Sequence, residues 1–172
     1  MKKGLLIIGL VIVVVLGIVY LSQKPPVAQK DYKNIAYKID GEIFQLKNGL
    51  SESEINSSSA SKTTTRYFGN EARADLNGDG KEDIVFLLTQ NNGGSGTFYY
   101  IVVALSSVDG YKGTNGILLG DRIAPQTTEI KDGEIIVNYA DRKPNDSFAI
   151  EPSVGVSKYL KVVGNQIVEN KE

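Results

Sequence analysis

Ile84-Val85-Phe86-Leu87-Leu88-Thr89 and Thr97-Phe98-Tyr99-Tyr100-Ile101-Val102-Val103-Ala104-Leu105 decide how this chain folds. Both runs have the length of a strand. Both are dominated by β-branched, aromatic and long aliphatic side chains, which fit a pleated surface. Successive side chains of a strand point to opposite faces. A strand with one wet face would alternate apolar with polar residues. These runs do not, so both of their faces must be covered. The connector Asn91-Asn92-Gly93-Gly94-Ser95-Gly96 has loop composition. The two runs therefore predict an antiparallel hairpin at the centre of the core.

The flanks repeat the strand-turn-strand pattern. Residues 35–40 and 42–46 alternate around Asp40-Gly41, a pair suited to a tight hairpin turn. Asn48-Gly49 marks a second turn. The serine-rich stretch 51–62 is expected to be a loop with one helical turn, and 63–68 a strand. Further strands are expected at 117–119, 122–130, 134–139, 154–163 and 166–168, with turns at Lys131-Asp132-Gly133 and Gly164-Asn165. No sustained helical period follows the first 22 residues. About eight to ten strands with frequent turns predict an all-β fold, an antiparallel sandwich or barrel-like meander.

The amino terminus reads differently. Gly4 to Leu21 is a run of 18 uncharged residues, aliphatic except for three glycines and Tyr20, and it follows Lys2-Lys3. As a helix it would span roughly 27 Å, close to the hydrocarbon thickness of a bilayer. No small-x-small cleavage site follows it, so residues 1–22 are expected to be an uncleaved transmembrane signal anchor. Lys2 and Lys3 favour a cytoplasmic amino terminus at the plasma membrane. Residues 23–33, with Pro25-Pro26, read as an extended linker. Residues 34–172 then form a β domain outside the cytoplasm.

The chain has 172 residues, no Cys and no His. That excludes disulfides, thiolate or imidazole metal ligands, a cysteine nucleophile and a Ser-His-Asp triad. Residues 22–172 carry 17 basic and 20 acidic side chains, a net −3. That balance offers no electrostatic footprint for nucleic acid.

Asp75-Leu76-Asn77-Gly78-Asp79-Gly80-Lys81-Glu82-Asp83 is the strongest chemical signal. Side-chain oxygens fall at alternate positions, Asp75, Asn77 and Asp79, with Asp83 at position nine. Gly80 takes position six, where a calcium loop turns sharply, and Lys81 at position seven would offer its backbone carbonyl. Calcium takes six to eight oxygens, and this spacing aims several inward. Asn-Gly and Asp-Gly are also ordinary turn formers, so a plain solvated turn is the competing reading.

The stretch resembles the calcium loop of EF-hands, and more closely the loops of dockerins and integrin-type propeller blades. It departs from an EF-hand at position twelve, where Phe86 stands in place of a bidentate Glu. Residues 37–42, the 75–83 loop, 93–100, 119–122 and 141–144 together resemble a group of uncharacterised exported or membrane-anchored bacterial proteins. That resemblance implies an envelope protein and no particular activity.

Other candidates are weaker. The Gly93–Gly96 loop lacks the ending of a phosphate-binding loop. Phe98 and Tyr100 share one face and Tyr99 the other, so one face could be an aromatic platform. Asp121, Asp141, Asp146 and Glu151, with Arg122 and Arg142 as anion binders, would be the acids of a carboxylate-dependent hydrolase. The leading expectation is not an enzyme. It is an anchored binding or envelope-structural module with one structural calcium, whose partner is the membrane through residues 4–21 and an envelope protein or glycan. An inhibitor or accessory subunit of an envelope enzyme is the third reading.

Overall fold

In the computed structural model, which describes residues 31–54 and 61–170, β5 (Asp83–Asn91) and β6 (Phe98–Ser107) form the expected antiparallel pair. Val85 lies opposite Val103, Phe86 opposite Val102 and Leu87 opposite Ile101. The anchor and the linker through residue 30 lie outside the described residues. Among the described residues no helix is long and apolar enough to cross a membrane.

Before this pair come β1 (Ala36–Ile39), β2 (Glu42–Gln45), β3 (Leu50–Glu54) and β4 (Lys62–Ala74). After it come β7 (Gly110–Gly113), β8 (Ile117–Asp121), β9 (Ala124–Lys131), β10 (Glu134–Asp141), β11 (Val154–Val163) and β12 (Gln166–Glu169). All strand pairings are antiparallel. A six-stranded sheet runs β3-β4-β5-β6-β7, with β8 pairing to the other half of the β6 edge; β9 to β12 form a four-stranded sheet, and β1-β2 a separate hairpin. The fold is all-β, and its sheets stack rather than close into a barrel.

The two faces of β5 and β6 feed two separate cores. Val85, Leu87, Ile101, Val103 and Leu105 pack against Ile135 and Val137 of β10, Leu160 of β11 and Ile167 of β12. Ile84, Phe86, Leu88, Tyr100 and Val102 pack against Ile35, Tyr37, Ile39, Phe44 and Leu46 of the amino-terminal hairpin. The molecule is thus three layers deep, with the six-stranded sheet in the middle. Gly113 permits the hairpin's close approach, because a Cβ there would collide with the Ala36 carbonyl and the Tyr37 ring.

Two local expectations need correction. Residues 50–54 form the edge strand β3, paired with Lys62–Arg66 of β4, rather than a loop with a helical turn. An edge strand exposed on both sides needs no apolar alternation, so Ser51-Glu52-Ser53-Glu54 hides its strand character. Asn48-Gly49, both at positive φ, makes the turn into it. The strand expected at 63–68 also continues to Ala74, through a bulge at Gly69-Asn70 where both residues have positive φ. The four-residue β7 was not anticipated.

One side chain ties the layers together. Asn115, just before β8, donates through Nδ2 to the Ile167 carbonyl at 3.0 Å and accepts through Oδ1 from the Ile167 N–H at 2.8 Å. It pairs with β12 as a strand backbone would. Asn115→Ala should cost about 1–3 kcal/mol, because it leaves two half-buried backbone groups unpaired. Thermal melting checks this; an unchanged Tm would show that β12 is held without the clamp.

Candidate functional site

β4 ends at Ala74, and the chain turns through Asp75–Glu82 before entering β5 at Asp83. Gly78 and Gly80 both take φ near +80° (78° and 79°), which lets the loop double back on itself. Asp75 holds the turn. Its Oδ1 accepts from the Gly78 N–H at 2.8 Å and the Asp79 N–H at 3.2 Å, and its Oδ2 from the Gly80 N–H at 2.8 Å. Asn77 Oδ1 accepts from the Asp79 N–H at 3.0 Å, and Asp79 Oδ1 from the Lys81 N–H at 2.9 Å. The Gly80 N–H first, then those of Gly78, Asp79 and Asn77, hold the Asp75 carboxyl below its ordinary range.

Asp83 behaves differently from the other four. Asp75, Asn77, Asp79 and Lys81 are exposed, whereas Asp83 is fully buried. Its Oδ2 accepts from the Leu76 N–H at 3.0 Å and its Oδ1 from the Ser106 N–H at 2.8 Å. It therefore ties the start of the loop to the far end of β6. Burial pushes its carboxyl up; the Ser106 and Leu76 N–H groups pull it back, and the charges of Asp79 and Asp75 add to the rise. Among the described residues no three acid side chains are gathered into a group that could hold a metal ion. The five candidates fall at alternate positions of one turn, but the side-chain oxygens of Asp75, Asn77, Asp79 and Asp83 accept from backbone N–H groups.

The acids considered for hydrolysis are engaged elsewhere. Asp121 accepts from the Thr97 N–H at 2.8 Å and from Arg122 Nε and Nη2 at 3.0 and 2.7 Å. The Arg122 guanidinium first, with the Thr97 N–H, keeps its carboxyl low. Asp141 accepts from the Arg142 N–H at 2.7 Å and Asp146 from the Lys143 N–H at 3.2 Å. Arg142 donates to the carbonyls of Arg122 and Ile150, and the Arg122 guanidinium lies 3.7 Å from the Phe148 ring centroid. These bonds fasten the 142–153 loop. Glu151 is exposed and has no side-chain partner among the described residues.

Comparison with protein-family models, with curated proteins and with solved structures returns no match.

The aromatic run divides as its alternation requires. Phe98 and Tyr100 join the hairpin-side core, while Tyr99 on the opposite face meets Phe68 edge-to-face at 5.2 Å. One polar cluster had no sequence signal, because Tyr32 joins it from 39 residues away. Glu71, beside the β4 bulge, accepts from the Tyr32 hydroxyl at 2.5 Å and the Tyr67 hydroxyl at 2.7 Å, and pairs with Arg73 at 3.1 Å. Tyr32 lies in a single 3-10 turn, Tyr32–Asn34, at the end of the segment read as linker. Its ring packs on Tyr67, Phe86 and Tyr111. Burial, then the Glu71 hydrogen bond, pushes the Tyr67 hydroxyl up to about 12.

Burial also pushes the Glu71 carboxyl up, but the hydrogen bonds from Tyr32, Tyr67 and Arg73 outweigh it and hold the group below its ordinary value. A carboxyl with a depressed folded pKa adds stability above its unfolded pKa and loses it as pH falls through the folded pKa. Glu71→Gln should thus destabilise by about 1–2 kcal/mol at pH 7. The deficit should shrink as pH falls through the lowered folded pKa of Glu71, below the ordinary carboxylate range. Melting both proteins across that range checks the claim; a constant gap would rule out the charge as its source.

Proposed function

We propose that this chain is a membrane-anchored β domain outside the cytoplasm, acting in binding or envelope structure, whose 75–83 loop takes one calcium ion as a structural staple. The observation that carries the calcium reading is the set of loop turns. Asp75, Asn77 and Asp79 each take an N–H from two to five residues ahead, and Gly78 and Gly80 supply the positive φ. Those bonds constrain the side chains on the loop's backbone side. A carboxylate or amide oxygen has a second lone pair, so each can serve a cation as well. The donor set is oxygen only, Asp75, Asn77, Asp79 and the Lys81 carbonyl with Asp83 at the exit, which suits a hard cation such as calcium.

Phe86, at position twelve, is fully buried under the hairpin and supplies no oxygen. The site is therefore one of modest affinity, roughly 10⁻⁴–10⁻³ M, suited to the calcium-rich exterior of a cell. The anchor reading rests on Gly4–Leu21 and the lysines before it, with the amino terminus cytoplasmic and the domain outside. No observation favours the hydrolase reading, since Asp121, Asp141 and Asp146 serve as hydrogen-bond acceptors within the fold.

The full chain in detergent should melt higher with millimolar calcium than with EGTA, and magnesium should not substitute. A ligand at 100 times its dissociation constant adds about 2.7 kcal/mol, several degrees for a domain of this size. Asp79→Ala should abolish the calcium-dependent rise while its EGTA melt stays near that of the parent. An equal rise in the variant, or none in the parent, would reduce residues 75–83 to a turn.

A further inference from the structure

The amino-terminal hairpin is the outer layer on one side of the domain, and its two faces differ in charge. Tyr37, Ile39, Phe44 and Leu46 point inward and are buried. By alternation Ala36 and Lys38 of β1, Ile43 and Gln45 of β2, and Lys47 just beyond it point outward. Lys38 lies opposite Ile43, and Ala36 opposite Gln45. Beside them runs β7, brought close by Gly113, with Lys112 at the same surface. Asn34, Ala36, Lys38, Ile43, Gln45 and Lys112 line a groove of about 380 Å³, and no carboxylate is in its lining. The acids nearby in sequence are turned elsewhere. Asp31 accepts from the Lys33 N–H at 3.0 Å and Asn34 Nδ2 at 3.4 Å, and Asp40 from the Tyr100 hydroxyl at 2.8 Å. Glu42, opposite Ile39, lies on the inward side, and Asp109 sits in the turn before β7. The ammonium groups of Lys38, Lys47 and Lys112 have no hydrogen-bond or ion-pair partner among the described residues.

We infer that this hairpin face rests on the anionic headgroup surface of the bilayer that holds the chain. The lysines meet lipid phosphates, and Ile43 reaches the boundary between headgroups and acyl chains. The inference rests on the anchor reading given above. The chain enters the domain in the hairpin layer itself, because the Tyr32–Asn34 turn leads straight into β1. Residues 22–30 separate Asp31 from the apolar run, and even fully extended they reach no further than roughly 30 Å. The opposite outer face, on β9 to β12, lies two layers further away, roughly 20 Å. The tether thus makes the hairpin face the nearer of the two to the lipid. It also holds that face at high local concentration, where a weak contact suffices.

Charge selects the same occupant. Residues 22–172 carry a net −3, yet the hairpin's outward face and β7 beside it hold three lysines and no acid. The tether adds Lys24 and Lys30, again with no acid. Positive charge therefore runs without interruption from the end of the apolar run to the groove. Ile43, 74% exposed, stands among these cations. Binding at a lipid interface combines buried apolar surface with attraction to anionic headgroups, and this face offers both. Each lysine near an anionic surface is worth about fivefold in the docking equilibrium. A protein partner would want a contiguous apolar patch, which Ile43 alone does not supply. The groove is separate from the 75–83 loop and does not depend on calcium there.

The test uses the full chain in lipid nanodiscs, in EGTA so that calcium bridging plays no part. The sequence has no Cys, so Ile43→Cys and Ser157→Cys each carry a single fluorophore. The first lies on the hairpin face and the second on the exposed face of β11, on the opposite side of the domain. A nitroxide at headgroup depth should quench the label at 43 strongly in discs containing phosphatidylglycerol and weakly in phosphatidylcholine alone. The label at 157 should be quenched weakly in both. Lys38→Gln, Lys47→Gln and Lys112→Gln combined should shift docking toward the free state about a hundredfold, with the melting temperature unchanged. Arg at the same three positions should keep the quenching. The inference is overturned if 43 and 157 are quenched alike, if both lipids give the same quenching at 43, or if the Gln variant is quenched as the parent is. Release of the full chain from membranes by alkaline carbonate would overturn the anchor reading and this inference with it. Retention in the membrane with equal quenching at the two labels would overturn this inference alone.

Discussion

Burial of β5 and β6 on both faces is the constraint from which the remaining architecture follows. Their side chains from Ile84 to Leu88 and from Ile101 to Ala104 are within 1% of full burial, so neither face can be left to water. One face takes the four-stranded sheet and the other the amino-terminal hairpin. Two covers on one sheet require three layers. The covers are themselves one-sided: β10 alternates buried and half-buried residues, which leaves Ile136 and Asn138 on its outer face.

Asp83 is the polar counterpart of that constraint. Among the described residues it is the one fully buried acid, placed where the loop meets the central strand, and it is tolerated because two backbone N–H groups satisfy its carboxylate. Through it the 75–83 loop is fixed to β6 at Ser106. A staple in that loop would thereby act on the middle layer directly. On the same edge Glu71 fastens Tyr32 and Tyr67 and, through Arg73, reaches Glu82 at 3.5 Å. The 3-10 turn at Tyr32–Asn34 and the proposed ion loop thus border one polar network.

The centre of this fold was legible because an unbroken apolar strand has only one physical resolution. The hairpin at Asp40-Gly41 was legible because both residues must take positive φ, and they do, at 50° and 92°. What escaped were features carried by backbone or by distance. Leu50–Glu54 forms a strand through its ladder to β4 and not through any pattern of its own side chains. Gly110–Gly113 is short and carries two glycines. Tyr32 and Glu71 meet across 39 residues, and no local signal announces such a pair. In the ion loop the residues and turns were readable from spacing. The burial of Asp83 was not, because it depends on Ser106 arriving from another strand.

Native-state hydrogen exchange on the full chain in detergent tests the central claim most directly. If β5 and β6 are the doubly covered middle layer, the amides of residues 84–88 and 101–104 should exchange only through global unfolding. Their protection should exceed that of the covering strands β2 and β12. Protection at 84–88 and 101–104 no greater than in those covers would contradict the three-layer account.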